Sequence, residues 1–149
     1  MTRLIAVFST LLWMATGAVA QAAVTDPVTD EGGLFRPAAE ASLDDFLWTH
    51  RPVLVFADSE NDPRFQQQME YLATRADELA ERDVVVLVDS DPATGSEARD
   101  RMRPRGFMLV LMSKDGEVYL RKPFPWDVRE IMRSIDKMPL RQQELREAR

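Results

Sequence analysis

Two apolar runs limit most strongly what this chain can fold into. Pro52-Val-Leu-Val-Phe-Ala57 and Asp83-Val-Val-Val-Leu-Val-Asp89 contain almost no polar side chain between their ends. A strand with one face in water would alternate, so each run is expected to be a strand buried on both faces. Pro52 lacks a backbone N–H and is tolerated at the beginning of such a strand, not in its middle. Between the runs, Asp62 stands where an N-cap belongs and Pro63 at the first helical position, and Phe65, Met69, Leu72, Ala76 and Leu79 recur at alternating spacings of four and three. The spacing predicts one helix over about 63–81. Strand, helix and buried strand make a βαβ unit, with parallel strands and a right-handed crossover.

The rest of the chain extends that unit. Residues 90–105 hold Pro92, Gly95 and Pro104 around a short polar helix near 96–102. Phe107 to Met112 is a third apolar strand, Lys114-Asp115-Gly116 a tight turn, and Glu117 to Arg121 the returning arm of a hairpin. After Pro123-Phe-Pro125, the residues Trp126, Val128, Ile131, Met132 and Ile135 mark a final amphipathic helix. Pro139 is expected to stop it, leaving Met138 and Leu140 to dock on the body as a C-terminal clasp. Upstream, Leu43, Phe46, Leu47 and Trp48 form a short amphipathic turn with Ser42 as N-cap. The element order predicts an α/β fold, a three-layer α/β/α sandwich with a mixed central sheet, over residues 42–149.

The first twenty residues carry one charge, Arg3, then an apolar run from Leu4 to about Met14, and Ala18-Val19-Ala20 before Gln21. This is the pattern of a secretory signal peptide, with cleavage expected after Ala20 or, alternatively, Ala22. The apolar run is shorter than the roughly 20 residues a spanning helix needs, so no membrane span is expected in the mature chain and a periplasmic or secreted location is. Residues 21–41, with Pro27, Gly32-Gly33 and Pro37 and few apolar side chains, read as a flexible lead-in. The mature chain has 18 basic and 25 acidic side chains, and 18 of those acids lie in residues 21–100 against 6 Lys or Arg. Nucleic acid is an unfavourable partner for such a surface, because counterion release needs a basic footprint.

The chain has no cysteine. That matters because "RGFMLVLMSKDGEVYLRK" (105–122) resembles the stretch of thioredoxins that begins the hairpin. More specifically, Arg51-Pro-Val-Leu-Val-Phe-Ala57, Glu81-Arg82-Asp83, Lys114-Asp115-Gly116 and "SIDKMPLRQQE" (134–144) resemble the DUF4174 family, bacterial exported domains with a thioredoxin-like fold. The resemblance spans roughly Leu43 to Glu144 and implies that fold. Where redox thioredoxins carry Cys-x-x-Cys, this chain reads Asp58-Ser-Glu-Asn-Asp-Pro63, and Met108 stands where they have a cis-proline. A thiolate is the nucleophile of disulfide exchange, so a non-redox binding or interaction module is the leading expectation.

The candidate binding residues follow from the topology. Asp58, Glu60 and Asp62 after the first buried strand, and Asp89 and Asp91 after the second, fall at the carboxyl edge of parallel strands, where open α/β sheets usually place ligands. Asp62 also serves simply as a helix cap, and Asp91-Pro92 as the start of a turn. Paired carboxylates at Asp58 and Asp89 would suit acid–base chemistry if burial separated their pKa values. Arg121 and Arg141 are candidates to hold a small anionic ligand through bidentate contacts, which defines the alternative of a cysteine-independent enzyme. Arg141 is equally placed to reach Asp136 or Glu144 within the clasp, and Phe124 and Trp126 either line a groove or anchor the core. Calcium binding in an EF-hand fails at Pro63 and Met69, where Gly and Glu are required. One histidine, His50, cannot build a three-histidine zinc site and lies at the opposite strand end from Ser59 and Ser90. No metal and no cofactor is expected, and the expected partner is a protein or a small anionic molecule.

Overall fold

In the computed structural model, which describes residues 33–149, five strands form one sheet: β1 (Phe35–Pro37), β2 (Arg51–Phe56), β3 (Val84–Asp89), β4 (Met108–Met112) and β5 (Val118–Lys122). Their order is β1-β3-β2-β4-β5. The two apolar runs are central neighbours, paired in parallel with Val53 opposite Val86, and every residue of both strands is buried. β4 runs antiparallel to β2, and the hairpin carries β5 to the sheet edge. The sheet is therefore mixed, as its strand pattern predicts.

Five α-helices are found among the described residues: α1 (Pro63–Ala73), α2 (Ala76–Ala80), α3 (Glu97–Met102), α4 (Val128–Asp136) and α5 (Pro139–Glu147). Alternation along the strands divides the core in two. Val53, Val55, Val86, Leu109 and Leu111 pack with Phe65, Leu72, Leu79, Ile131 and Ile135. On the other face Leu54, Phe56, Leu87 and Val110 meet Leu43, Phe46, Ala98 and Met102. Each of the larger apolar side chains contributes roughly 1.5–3 kcal/mol of burial, and the sheet is held between helical layers on both sides.

Three elements differ from expectation. The helix over 63–81 is two helices, because the Thr74 hydroxyl donates back to the Tyr71 carbonyl at 2.7 Å and Arg75 leaves helical geometry at φ −135°, ψ 38°. A hydroxyl that competes for a backbone carbonyl bends or ends a helix without any Gly or Pro. The part of the expected lead-in that is described contributes a strand: β1 pairs in parallel with β3, and Ala38 is buried in a 3-10 turn behind it. The ordered sheet thus begins before residue 42. Finally, α4 ends at Asp136, but Pro139 also begins α5, occupying the first turn where its missing N–H costs nothing. The signal-peptide pattern and its cleavage site, and residues 21–32 of the lead-in, lie outside the described residues.

Candidate functional site

At the carboxyl edge of the parallel strands, Asp89 is the last residue of β3, and its side chain is enclosed. Arg99 of α3 donates from Nε and Nη2 to Asp89 Oδ1 at 3.0 and 2.7 Å, and from Nη2 to the carbonyls of Ala57 and Asp89. Ser96, the N-cap of α3, donates its hydroxyl to Asp89 Oδ2 and accepts from the Arg99 amide at 3.1 Å. The sequence explains this locally: a serine cap and an arginine three residues later start a helix whose first turn faces the strand end. The result is a charge-assisted pair, with two guanidinium donors on one carboxylate oxygen and the serine hydroxyl on the other, that ties β2, β3 and α3 together.

The other acids at this edge have different fates. Asp62 caps α1 by accepting from the Arg64 amide at 2.9 Å. The Arg64 guanidinium also grips it, and that hydrogen bond holds the Asp62 carboxyl below its usual range. Asp91 caps a 3-10 turn by accepting from the Ala93 amide. Glu60 accepts from the Ser90 hydroxyl at 3.4 Å, joining the two loops. Asp58 stays 62% exposed, with Arg99 Nη1 3.6 Å away. Asp58 and Asp89 therefore share one arginine and do not form a two-carboxylate acid–base pair.

The two candidate arginines are not brought to these acids. Arg121 of β5 donates to the Met102 carbonyl at 3.0 Å. Arg141 lies at the other end of the sheet, where Nη1 donates to Glu144 Oε2 at 3.2 Å and Nε stands 4.0 Å from Asp136. That end holds a network not expected from the sequence. Arg51, wholly buried at the start of β2, donates to the Arg82 carbonyl at 2.9 Å and to Glu144 Oε1 at 2.8 Å. Lys114 Nζ sits 2.8 Å from both Asp83 and Glu144. Arg82 grips Asp136 with two donors at 3.0 and 3.1 Å. Burial alone would push the Glu144 carboxyl up, but donation from Lys114 and Arg51, the Arg51 charge and donation from Arg141 outweigh it and lower its pKa from 4.5 to about 2.

Arg51, Arg82, Asp83, Lys114, Asp136, Arg141 and Glu144 all fall within the sequence segments that carry the family resemblance, and the fold gathers them at this amino edge. The 136–144 segment is a clasp in this structure. Met138 is buried in the core, while Leu140 is half-buried beside Trp48. Trp126 is held by Gln68, whose amide donates to its backbone carbonyl and accepts from its backbone N–H, and Lys122 lies 3.7 Å over its indole. Phe124 beside it is half-exposed. Among the described residues, no group of three His, Cys, Asp or Glu side chains is gathered as a metal site would require, and no helix is long and apolar enough to cross a membrane.

Strand order, flanking helices and the junction after β2 together define a thioredoxin-like domain. Two solved structures with 20% sequence identity, Plasmodium yoelii thioredoxin peroxidase I and a Plasmodium yoelii Prx1a modified at its N-terminus, share this fold. Each has a TM-score of 0.53 and covers 70% of this chain and 80% of its own. The chain belongs to the DUF4174 family, whose description is a domain of unknown function and whose pattern matches residues 42–144. With no cysteine anywhere in the sequence, thiol redox chemistry is absent from it.

Proposed function

We propose that the protein is an exported, non-redox binding module whose contact surface is the carboxyl edge formed by the 58–62 and 89–95 loops. The observation that carries this reading is the division of labour among the acids there. Asp89 is consumed by Arg99 and Ser96, Asp62 by Arg64, and these bonds brace the two loops. Asp58 and Glu60 remain exposed on the braced frame. Exposed carboxylates held on fixed loops favour a cationic partner surface and steer its approach, with an effect that falls as salt rises.

The alternative of an enzyme acting on a small anion draws no support from the arrangement. Its arginines are bound elsewhere, and its carboxylates repel an anion at this edge. The test is a comparison of immobilised wild-type protein with an Asp58→Ala/Glu60→Ala variant against periplasmic extract at low and high salt. Partners that bind wild type at low salt and are lost from the variant support the reading. Identical recovery by both proteins would falsify the assignment of this loop as the contact surface.

A further inference from the structure

Trp48 is the one aromatic residue among the described ones held at positive φ, +63°. A large L side chain in this region is a backbone outlier, and the surrounding contacts enforce it. The Trp48 N–H donates to the Lys114 carbonyl at 2.6 Å, and Leu47 packs so closely on Gly116 that a Cβ there would stand 2.8 Å from its methyl. The strained turn is locked to the hairpin, yet Trp48 itself is 68% exposed. Burial of the indole therefore does not account for the strain.

The indole forms one wall of a cleft of about 390 Å³ whose other lining residues are Lys114, Leu140, Gln143, Glu144 and Glu147. That size falls within the roughly 300–1,000 Å³ range of ligand sites. Lys114 is neutralised at the base by Asp83 and Glu144, both at 2.8 Å. Glu147 accepts from the Gln143 amide nitrogen at 2.7 Å, which leaves the Gln143 carbonyl and the second Glu147 oxygen as acceptors. Glu144 is taken up by Arg51, Lys114 and Arg141, so the aromatic face, a half-buried leucine and the remaining acceptors of Glu147 and Gln143 are what complement a flat cation with an aliphatic stem.

We propose that the cleft between Trp48 and α5 binds an arginine side chain presented by a peptide segment of a partner, stacked on the indole and hydrogen-bonded at Glu147 and Gln143. This site lies at the amino edge, remote from the carboxyl-edge loops, and stands independently of them.

The test is an NMR titration of isotope-labelled protein with acetyl-Gly-Arg-Gly-amide, with the same peptide carrying neutral citrulline, and with maltotriose. The arginine peptide should move the Trp48 indole N–H and the Gln143 amide signals saturably. Citrulline should bind at least about tenfold more weakly, and Glu147→Gln should weaken the arginine peptide severalfold. Trp48→Gly, which suits the positive φ, should keep the folded spectrum and lose the response. Equal binding of the arginine and citrulline peptides would overturn the proposal. So would saturable movement by maltotriose with none by arginine, an unaffected Glu147→Gln, or no saturable movement at millimolar peptide.

Discussion

Both ends of the parallel strands are closed by an arginine–carboxylate pair with one partner fully enclosed, Asp89 at one end and Arg51 at the other, yet the pairs hold different things. At the carboxyl edge, Arg99 and Asp89 are 10 residues apart and join a strand end to the helix that follows it. At the amino edge, Arg51 and Glu144 are 93 residues apart and join the first central strand to the last helix. The first pair fixes a local loop. The second closes the fold, and it does so where α5 itself buries no residue. A helix without a buried face depends on its polar anchors, so the same chemistry carries more structural consequence at the amino edge.

The largest expected effect breaks that anchor. Glu144→Ala takes from the fully buried Arg51 its partner at 2.8 Å and should cost about 3 kcal/mol, the lower end of the range for unpairing a buried charge, since Glu144 is partly exposed and Arg51 keeps Asp83 at 3.8 Å and the Arg82 carbonyl. Arg51→Met combined with Glu144→Leu should cost less than the sum of the single changes, because neither charge is left alone. Urea unfolding of the four proteins measures the coupling. Hydrogen exchange should show α5 opening in Glu144→Ala while α3 stays protected. Equal loosening of both helices would erase the distinction between a local and a global brace.

Acid should reach the amino edge by the same route. The folded Glu144 carboxyl, at about 2 rather than 4.5, holds its proton less tightly than the unfolded one, so the unfolded chain binds protons first as pH falls. Its contribution is complete above about 4.5 and is lost between there and about 2; linkage converts that difference to about 3 kcal/mol at most. Glu144→Gln should therefore be less stable than wild type at neutral pH, with the gap closing below about pH 4. A constant gap in urea midpoints across that range would show that the carboxylate charge is not what holds the helix.

How far these ends were legible in the sequence follows from the range of the interactions. The strands β2 and β3, and the Asp62-Pro63 start of α1, announce themselves because a run of apolar residues or a cap acts over a few positions. The α1–α2 break hides in the Thr74 hydroxyl, whose bond to Tyr71 competes with a periodicity that continues unbroken through Ala76 and Leu79. β1 has only three residues and is defined by its pairing with β3, which no local pattern encodes. Topology puts Asp58 and Asp89 at one strand edge, and in the structure Arg99 lies against both. That Arg99 would claim Asp89 was readable only as a cap with an arginine nearby, and nothing near Arg51 points to Glu144.

A smaller effect tests the carboxyl edge. Asp62→Ala removes the cap of α1 and should cost about 1 kcal/mol. Because the Arg64 hydrogen bond holds the Asp62 carboxyl below 3.8, that difference should persist down to about pH 4 and shrink only in stronger acid. A midpoint shift as large as that of Glu144→Ala would mean that the carboxyl-edge loop braces the whole domain, contrary to the local role inferred for it.

The smallest effect is the most informative about function. Asp58→Ala/Glu60→Ala should leave stability within about 0.5 kcal/mol of wild type, as surface substitutions do, because Asp58 meets Arg99 only at 3.6 Å and Arg99 retains Asp89 and two carbonyls. Glu60 gives up one exposed hydrogen bond to Ser90. Unchanged urea midpoints together with lost partner binding would separate recognition from folding at this edge. A loss of 2 kcal/mol or more, well beyond the roughly 1 kcal/mol of an exposed ion pair, would instead make these acids part of the brace. The carboxyl edge would then match the amino edge in kind, with its exposed charges explained by structure alone.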